Sequence, residues 1–314
     1  MRRWLISVFV LLAVMTVSGQ DAGRPVPRPN EQTPAFSSAA ELVAVHVTVT
    51  DRRGAYVTGL LRDAFRVVED GTPQRIDVFT GEDSPVTVGL LVDSSGSMRQ
   101  DRDRVIAAAT AFAERSHPND EIFGLAFNEL VRAALPASAP FTNDPRVFRV
   151  ALATAMGALG RTAMYDAIRS GLTYVAKGSH PRRVLILVGD GGDNASIATF
   201  DQVLKEAQAS NAAIYTVGVI DPLEREADPG LLRRLAQATG GASYFPRHVN
   251  EVEDVLREIA RDIRHSYTLG YVSSNTARDG GFRRIRVTVS DPIRRSLVVR
   301  ARDGYRAGGP SQGE

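Results

Sequence analysis

The middle of the chain alternates short, continuously apolar runs with segments of helical periodicity. The runs over 86–92, 184–188 and 213–219 contain no charged residue, which is typical of parallel strands covered by helices on both faces. Between them apolar residues recur every three or four positions, as in the last such stripe over 252–263. Residues 84–265 are therefore predicted to form an α/β domain with a doubly wound, mostly parallel sheet.

Strand patterns of another kind lie on either side of this region. Residues 39–83 and residues 266–305 contain strands in which apolar and polar residues alternate, for example over 282–289. Each flank is too short to bury a core alone. We predict that the N- and C-terminal flanks pair into one small β domain, with the α/β domain inserted between them.

Two details of the N-terminal flank can be predicted from local patterns. The segments Phe65–Glu69 and Gln74–Phe79 surround Asp70-Gly71, a pair that favours a hairpin turn. In the strand over 43–50 valines alternate with polar or small residues, and His46 falls among the latter. His46 is therefore predicted to be a surface histidine and not a metal ligand.

The ends of the chain have the composition of processing segments. Residues 1–19 combine two arginines with an apolar run, as in a cleaved signal peptide; the run is shorter than the ~20 residues of a membrane span. Residues 20–38 are predicted to be a linker and residues 306–314 a disordered tail. The prediction is an exported protein, periplasmic or extracellular, with no stable membrane span after cleavage.

Composition excludes several classes of function. The chain has no cysteine, so disulfides, zinc–thiolate sites and thiol nucleophiles are excluded. It has 38 basic and 36 acidic residues, and removal of residues 1–19 leaves 36 of each. A balanced chain without a basic excess gives no support for nucleic-acid binding, and no nucleic-acid partner is predicted.

Oxygen-bearing side chains follow the predicted strands at three places. Asp93, Ser95 and Ser97 follow the first apolar run, Asp190 follows the run over 184–188, and Thr162 begins a predicted helix. Loops at the carboxyl ends of an open α/β sheet line one crevice. Hard oxygen ligands without histidine or thiol suit Mg²⁺, Mn²⁺ or Ca²⁺ and not zinc or copper.

This set of residues resembles the metal-ion-dependent adhesion site of the von Willebrand factor A domain. The flanking segments, which include LLRDAFRVVEDGTPQRIDVF, SYTLGYVSS and VRARDGY, resemble those of exported bacterial proteins related to that family. The resemblance implies a divalent cation, with Mg²⁺ the first candidate, held directly or through water by Asp93, Ser95, Ser97, Thr162 and Asp190. It also implies a protein partner that presents an Asp or Glu to the ion.

Two positions depart from the usual pattern of the family. Gly189 stands where a Ser or Thr is common, and Arg161 stands where a Gly is common. Arg161 either pairs with a partner carboxylate or points to solvent. Asp193 and Asn194 are predicted to cap the helix that follows them. Asp101 and Asp103, further acidic residues near the site, are predicted to be charges at a helix N-terminus.

Other functions compete with a metal-dependent binding module. A serine hydrolase that uses Ser95 or Ser97 would need a nearby base, and the sequence has neither GxSxG around these serines nor an evident base. The prediction is therefore no enzyme. The alternative that stays open is a structural or envelope assembly factor that keeps the fold without metal-dependent binding.

Overall fold

A computed structural model of the chain describes residues 42–157, 160–219, 228–291 and 296–308. The strands of these residues, in chain order, are β1 (Leu42–Thr50), β2 (Phe65–Glu69), β3 (Thr72–Gln74), β4 (Val78–Thr80), β5 (Thr87–Asp93), β6 (Glu121–Phe127), β7 (Val131–Ala133), β8 (Arg183–Gly189), β9 (Ala212–Gly218), β10 (Ser243–Tyr244), β11 (Tyr267–Val272), β12 (Phe282–Val289), β13 (Val298–Arg300) and β14 (Gly304–Arg306). The helices are α1 (Arg102–Glu114), α2 (Pro145–Ala155), α3 (Met164–Val175), α4 (Phe200–Ala209), α5 (Pro229–Thr239) and α6 (Val252–His265). None of the described helices has both the length and the apolar character needed to cross a membrane.

A six-stranded sheet lies at the centre, in the order β10-β9-β8-β5-β6-β7. All neighbouring pairs are parallel except β6 and β7. Helices α1, α2 and α6 pack on one face and α3, α4 and α5 on the other. Every residue of β5 is buried, as expected of a central strand covered on both sides. The predicted doubly wound α/β sheet is confirmed.

The flanks form two antiparallel sheets, each built from strands of both chain ends. Their orders are β13-β1-β11-β4 and β14-β12-β2-β3. The valines of β1 share a buried cluster with Tyr267, Leu269 and Tyr271 of β11 and with residues of β2 and β12. The predicted pairing of the two flanks is confirmed, because β1 bonds to β11 and β2 bonds to β12 along most of their lengths.

Two details of the flanks differ from the prediction. The hairpin at Asp70-Gly71 pairs β2 with β3 only, and the chain then crosses to the other sheet, where β4 pairs with β11. This crossing places Phe79 against Phe65 and Tyr267 in the core. At the chain end β14 pairs with β12 as far as Arg306 and Ala307 is buried, while residues 309–314 of the predicted tail lie outside the described residues.

The prediction that His46 lies at the surface is wrong. The side chain is 7% exposed, and its Nε2 lies 3.1 Å from the carbonyl oxygen of Asn211. A carbonyl oxygen only accepts, so Nε2 carries the hydrogen, and the hydroxyl of Thr268 donates to Nδ1 across 3.1 Å. The polar side of β1 is buried because it faces the α/β domain. The residue that His46 contacts there, Asn211, lies 165 positions further along the chain.

Acidification is expected to destabilise the protein through His46. Burial and the charge of Arg182 lower the pKa of His46 to about 3, whereas the unfolded chain binds a proton near the ordinary value of about 6.5. The stabilisation is therefore complete above pH 6.5 and is lost as the pH falls toward 3. Between pH 7 and pH 5 the free energy of unfolding should fall by about 2 kcal/mol from this group.

The measurement is urea denaturation of the wild type and His46→Gln at pH 7 and pH 5. The glutamine amide retains a donor for the Asn211 carbonyl and does not titrate, so the variant should lose about 2 kcal/mol less than the wild type over this range. An equal loss in both proteins would contradict the assignment.

Candidate metal site at the carboxyl edge of the sheet

The candidate site is built at the carboxyl ends of two neighbouring parallel strands. β5 and β8 lie side by side, so Asp93 at the end of β5 and Asp190 directly after β8 emerge at the same edge. After β5 the chain turns through Ser94–Gly96 into a short 3-10 turn over Ser97–Gln100, which leads to α1. This loop carries Ser95 and Ser97 beside the two aspartates.

Hydrogen bonds join four of the five predicted ligands. The Ser97 hydroxyl donates to Oδ2 of Asp190 across 2.6 Å and lies 3.1 Å from the hydroxyl of Ser95. The backbone N–H of Ser95 donates to Oδ1 of Asp93 across 2.8 Å. Asp93 is 1% exposed and Asp190 5%, whereas Ser97 is exposed. The arrangement is two buried carboxylates, one of which accepts a hydrogen bond from an exposed serine.

The loop that carries Thr162 contacts the loops of both aspartates. The carbonyl oxygen of Gly160 accepts from the N–H of Gly96 across 3.3 Å. The N–H of Thr162 donates to the side-chain oxygen of Asn194 across 2.9 Å, and its carbonyl accepts from the N–H groups of Asn194 and Ala195. Thr162 is therefore held, 6% exposed, between the segments that follow β5 and β8.

The donor chemistry at this edge fits a hard divalent cation. Two carboxylates and two serine hydroxyls are oxygen donors of the kind that Mg²⁺ and Mn²⁺ prefer. Among the residues that the structure describes, no three side chains of Asp, Glu, His or Cys gather where they could hold an ion. A cation here would therefore depend on hydroxyls and water besides the two carboxylates.

The two departures from the family pattern occupy different surroundings. A Cβ added to Gly189 would lie 3.0 Å from the Cβ of Asp93 and 3.2 Å from its Oδ2, so this glycine leaves room for the Asp93 side chain. Arg161 is exposed, and its N–H donates to Oε1 of Glu129 across 3.2 Å. Within the described part of the chain the Arg161 guanidinium forms no ion pair, so it stays a candidate contact for a partner.

The prediction that Asp193 and Asn194 cap the following helix is wrong. That helix, α4, is capped by Thr199, whereas Asp193 accepts from the N–H of Tyr165 in the first turn of α3 across 2.9 Å. Asn194 bonds to Thr162, as described above. The loop after β8 folds back over α3 instead of running directly into its own helix, and a sequence pattern carries no sign of this long-range choice.

Two asparagines that the sequence analysis did not assign to the site position the Thr162 loop. Asn194 bonds to the backbone of Thr162 on one side. On the other, the carbonyl oxygen of Asn128 accepts from the N–H of Ala163 across 2.8 Å. Asn128 follows directly after β6, the parallel neighbour of β5. A polar residue at the end of this strand was therefore a sequence signal that could have identified it.

The acidic residues before and in α1 lie at its N-terminus, as predicted. Asp101 precedes the helix and its Oδ1 accepts from Arg104 across 3.1 Å. Asp103, in the first turn, has a side chain that is 94% exposed. Negative charge at this end is favoured by the helix dipole.

Comparisons with known proteins agree with the observed fold. The family model of the von Willebrand factor type A domain matches residues 88–261. A structure of a von Willebrand factor type A protein from Catenulispora acidiphila is 15% identical, with a TM-score of 0.50, and the match covers 88% of this chain and 76% of that one. A search of the curated proteins gives no match.

Two further structures are similar to part of the chain. Proximal thread matrix protein 1 from the mussel byssus, with a zinc-occupied MIDAS motif, is 11% identical with a TM-score of 0.51; the match covers 62% of this chain and 49% of the mussel chain. An aerotolerance-related membrane protein from Bacteroides fragilis is 15% identical with a TM-score of 0.44; the match covers 56% of this chain and 98% of that chain.

Proposed function

Because the chain belongs to the family of von Willebrand factor type A domains, we propose that it is a metal-ion-dependent protein-binding module. The proposed ligands of the cation are Asp93, Ser95, Ser97, Thr162 and Asp190. The proposed partner is a protein that presents an Asp or Glu at this edge of the sheet. The module acts by binding and not by catalysis.

The observation that carries the proposal is the bond from the Ser97 hydroxyl to Oδ2 of Asp190. It connects the serine hydroxyls of the loop after β5 to the buried carboxylate that follows β8, so that oxygen donors from two neighbouring strands lie next to one another. A bound divalent cation would supply a Lewis-acidic centre for a further carboxylate. Asp93 and Asp190 balance the charge of such an ion, and the serine hydroxyls add no further negative charge, so an acidic side chain of a partner is still attracted.

We propose Mg²⁺ as the ion, with Mn²⁺ and Ca²⁺ as the alternatives that the same donors accept. The structure of the mussel protein with zinc in its MIDAS motif is a reason to include Zn²⁺ in the tests. The likeness to that protein concerns the fold, so the choice among the ions rests on the oxygen chemistry of this chain.

Export is part of the proposal. The predicted signal peptide over residues 1–19 lies outside the described residues; its composition supports an export signal, and the proposed location is periplasmic or extracellular. A binding module that needs no thiol and no disulfide can function in that oxidising environment.

The first test is metal-dependent stabilisation. A ligand that binds only the folded state raises the free energy of unfolding by about 2.7 kcal/mol at one hundred times its Kd. Added Mg²⁺ should therefore raise the melting temperature of the wild type and leave that of Asp93→Ala unchanged. Asp103→Ala is the matched control, because this aspartate is exposed at the start of α1, and it should respond to Mg²⁺ like the wild type.

Differential scanning calorimetry with Mg²⁺, Mn²⁺, Ca²⁺ and Zn²⁺ gives the readout. If no ion changes the wild-type melting temperature, the assembly factor without metal-dependent binding is the better interpretation. The binding half is tested by capture from a bacterial envelope extract with Mg²⁺, with chelator and with Asp93→Ala. The same captured proteins in all three samples would contradict the proposed mechanism.

A further inference from the structure

A surface groove runs from the candidate metal site toward the N-terminus of α6. Ser97 and Asp190 line it beside the candidate site, and the connection between β10 and α6 over 245–250 lines the rest of it. Its volume is about 880 Å³, which is in the range of clefts that bind ligands. Because Ser97 and Asp190 line the groove, it is continuous with the position where a partner carboxylate would be held.

The floor of the groove is apolar. Met98 and Pro246 are buried, and Phe245 and Val249 are half-buried, so each of the latter two presents part of its surface to the groove. The guanidinium of Arg233 lies over the Phe245 ring, 4.4 Å from its centroid, and fixes one side of that ring. Removal of this apolar surface from water by a partner would favour binding.

Two arginines, Arg104 and Arg247, line the groove, and Arg247 is exposed. Arg104 pairs with Asp101 across 3.1 Å, while Arg247 forms no ion pair with any residue in the described ranges. The N–H of Arg247 donates to Oε2 of Glu251 across 2.9 Å, which holds the backbone of this residue beside the groove.

We infer that the groove binds an extended segment of the partner protein with an acidic–apolar–acidic pattern. The inference rests on the proposed function, since the first acidic residue is the one at the cation. The next inward-facing side chain covers Phe245 and Val249, and a second acidic residue pairs with Arg247. In an extended chain alternate side chains face the same side, so the acidic, apolar and acidic residues of the partner occupy every second position.

The test uses a synthetic peptide array and the full-length protein. Each peptide has one fixed Asp and five varied positions on either side, and each array is probed in Mg²⁺ and in chelator. The wild type should select an apolar residue near the fixed Asp and Asp or Glu beyond it, in Mg²⁺ only. For Arg247→Glu the best peptide should bind about 10-fold more weakly in fluorescence polarisation, with selection at the second acidic position reversed to Lys or Arg.

Arg149→Glu is the matched control, because Arg149 is exposed on α2 and does not line this groove. It should keep the wild-type selection. Metal-dependent binding that Arg247→Glu leaves unchanged would overturn the groove and leave the proposed function intact. Binding that persists in chelator, or no binding in Mg²⁺, would count against the proposed function and the groove together.

Discussion

Asp262→Ala is expected to lower the free energy of unfolding by about 3–5 kcal/mol, the loss typical of breaking a buried ion pair. Asp262 is 3% exposed on α6. It accepts hydrogen bonds from the Tyr215 hydroxyl on β9 and from the Arg300 guanidinium on β13, and Arg300 also donates to Thr48 of β1 across 2.8 Å. One carboxylate thus joins the last helix of the α/β domain to its sheet and to the flank strands.

The loss is large because Arg300 would keep its charge after its partner is removed. Its side chain is 28% exposed, so solvent compensates only in part. Replacing both partners by apolar residues of similar size, in Asp262→Leu with Arg300→Met, should recover the part of the loss that comes from the unpaired charge, while the buried Tyr215 hydroxyl still lacks its acceptor. Urea denaturation of Asp262→Leu, of Arg300→Met and of the double variant gives the coupling energy between the two side chains. A loss below about 1 kcal/mol in Asp262→Ala would contradict this interpretation.

The central sheet could be predicted from the sequence because its strands are buried on both faces. Runs such as 86–92 and 184–188 require no choice between an inner and an outer face, and the structure places β5 and β8 within one residue of them. The rule that parallel strands end at one edge then brings Asp93 and Asp190 together. This part of the fold depends on local composition and on a general rule of topology.

The remainder depends on contacts that are distant in sequence. The alternation of β1 is the pattern of a strand with one wet face, yet His46 bonds to Asn211 across the boundary with the α/β domain. The loop after β8 caps α3 and not α4, because Asp193 reaches Tyr165. Periodicity shows that the two faces of a helix or strand differ in polarity. It does not show which other part of the chain covers each face.

A buried carboxylate adds to the contacts that join the two flanks of the β domain. Glu69, on β2, is 2% exposed. Its Oε2 accepts from the hydroxyls of Tyr271 at 2.7 Å and Tyr305 at 3.2 Å, and its Oε1 accepts from Ser273 at 2.6 Å. All three donors belong to the C-terminal flank, more than 200 positions away, so this residue joins the two ends of the chain.

Glu69→Ala is expected to cost about 4 kcal/mol of stability, because it leaves two buried tyrosine hydroxyls without an acceptor, each costing roughly 1–3 kcal/mol, and removes packing atoms as well. Glu69→Gln keeps an acceptor oxygen and should lose about 1–2 kcal/mol, while Glu114→Ala, at an exposed position of α1, should change little. If the flanks form one β unit, amide hydrogen exchange in Glu69→Ala will accelerate in β2 and in β11 and β14 together. Faster exchange confined to β2 would contradict a β unit shared by the two chain ends.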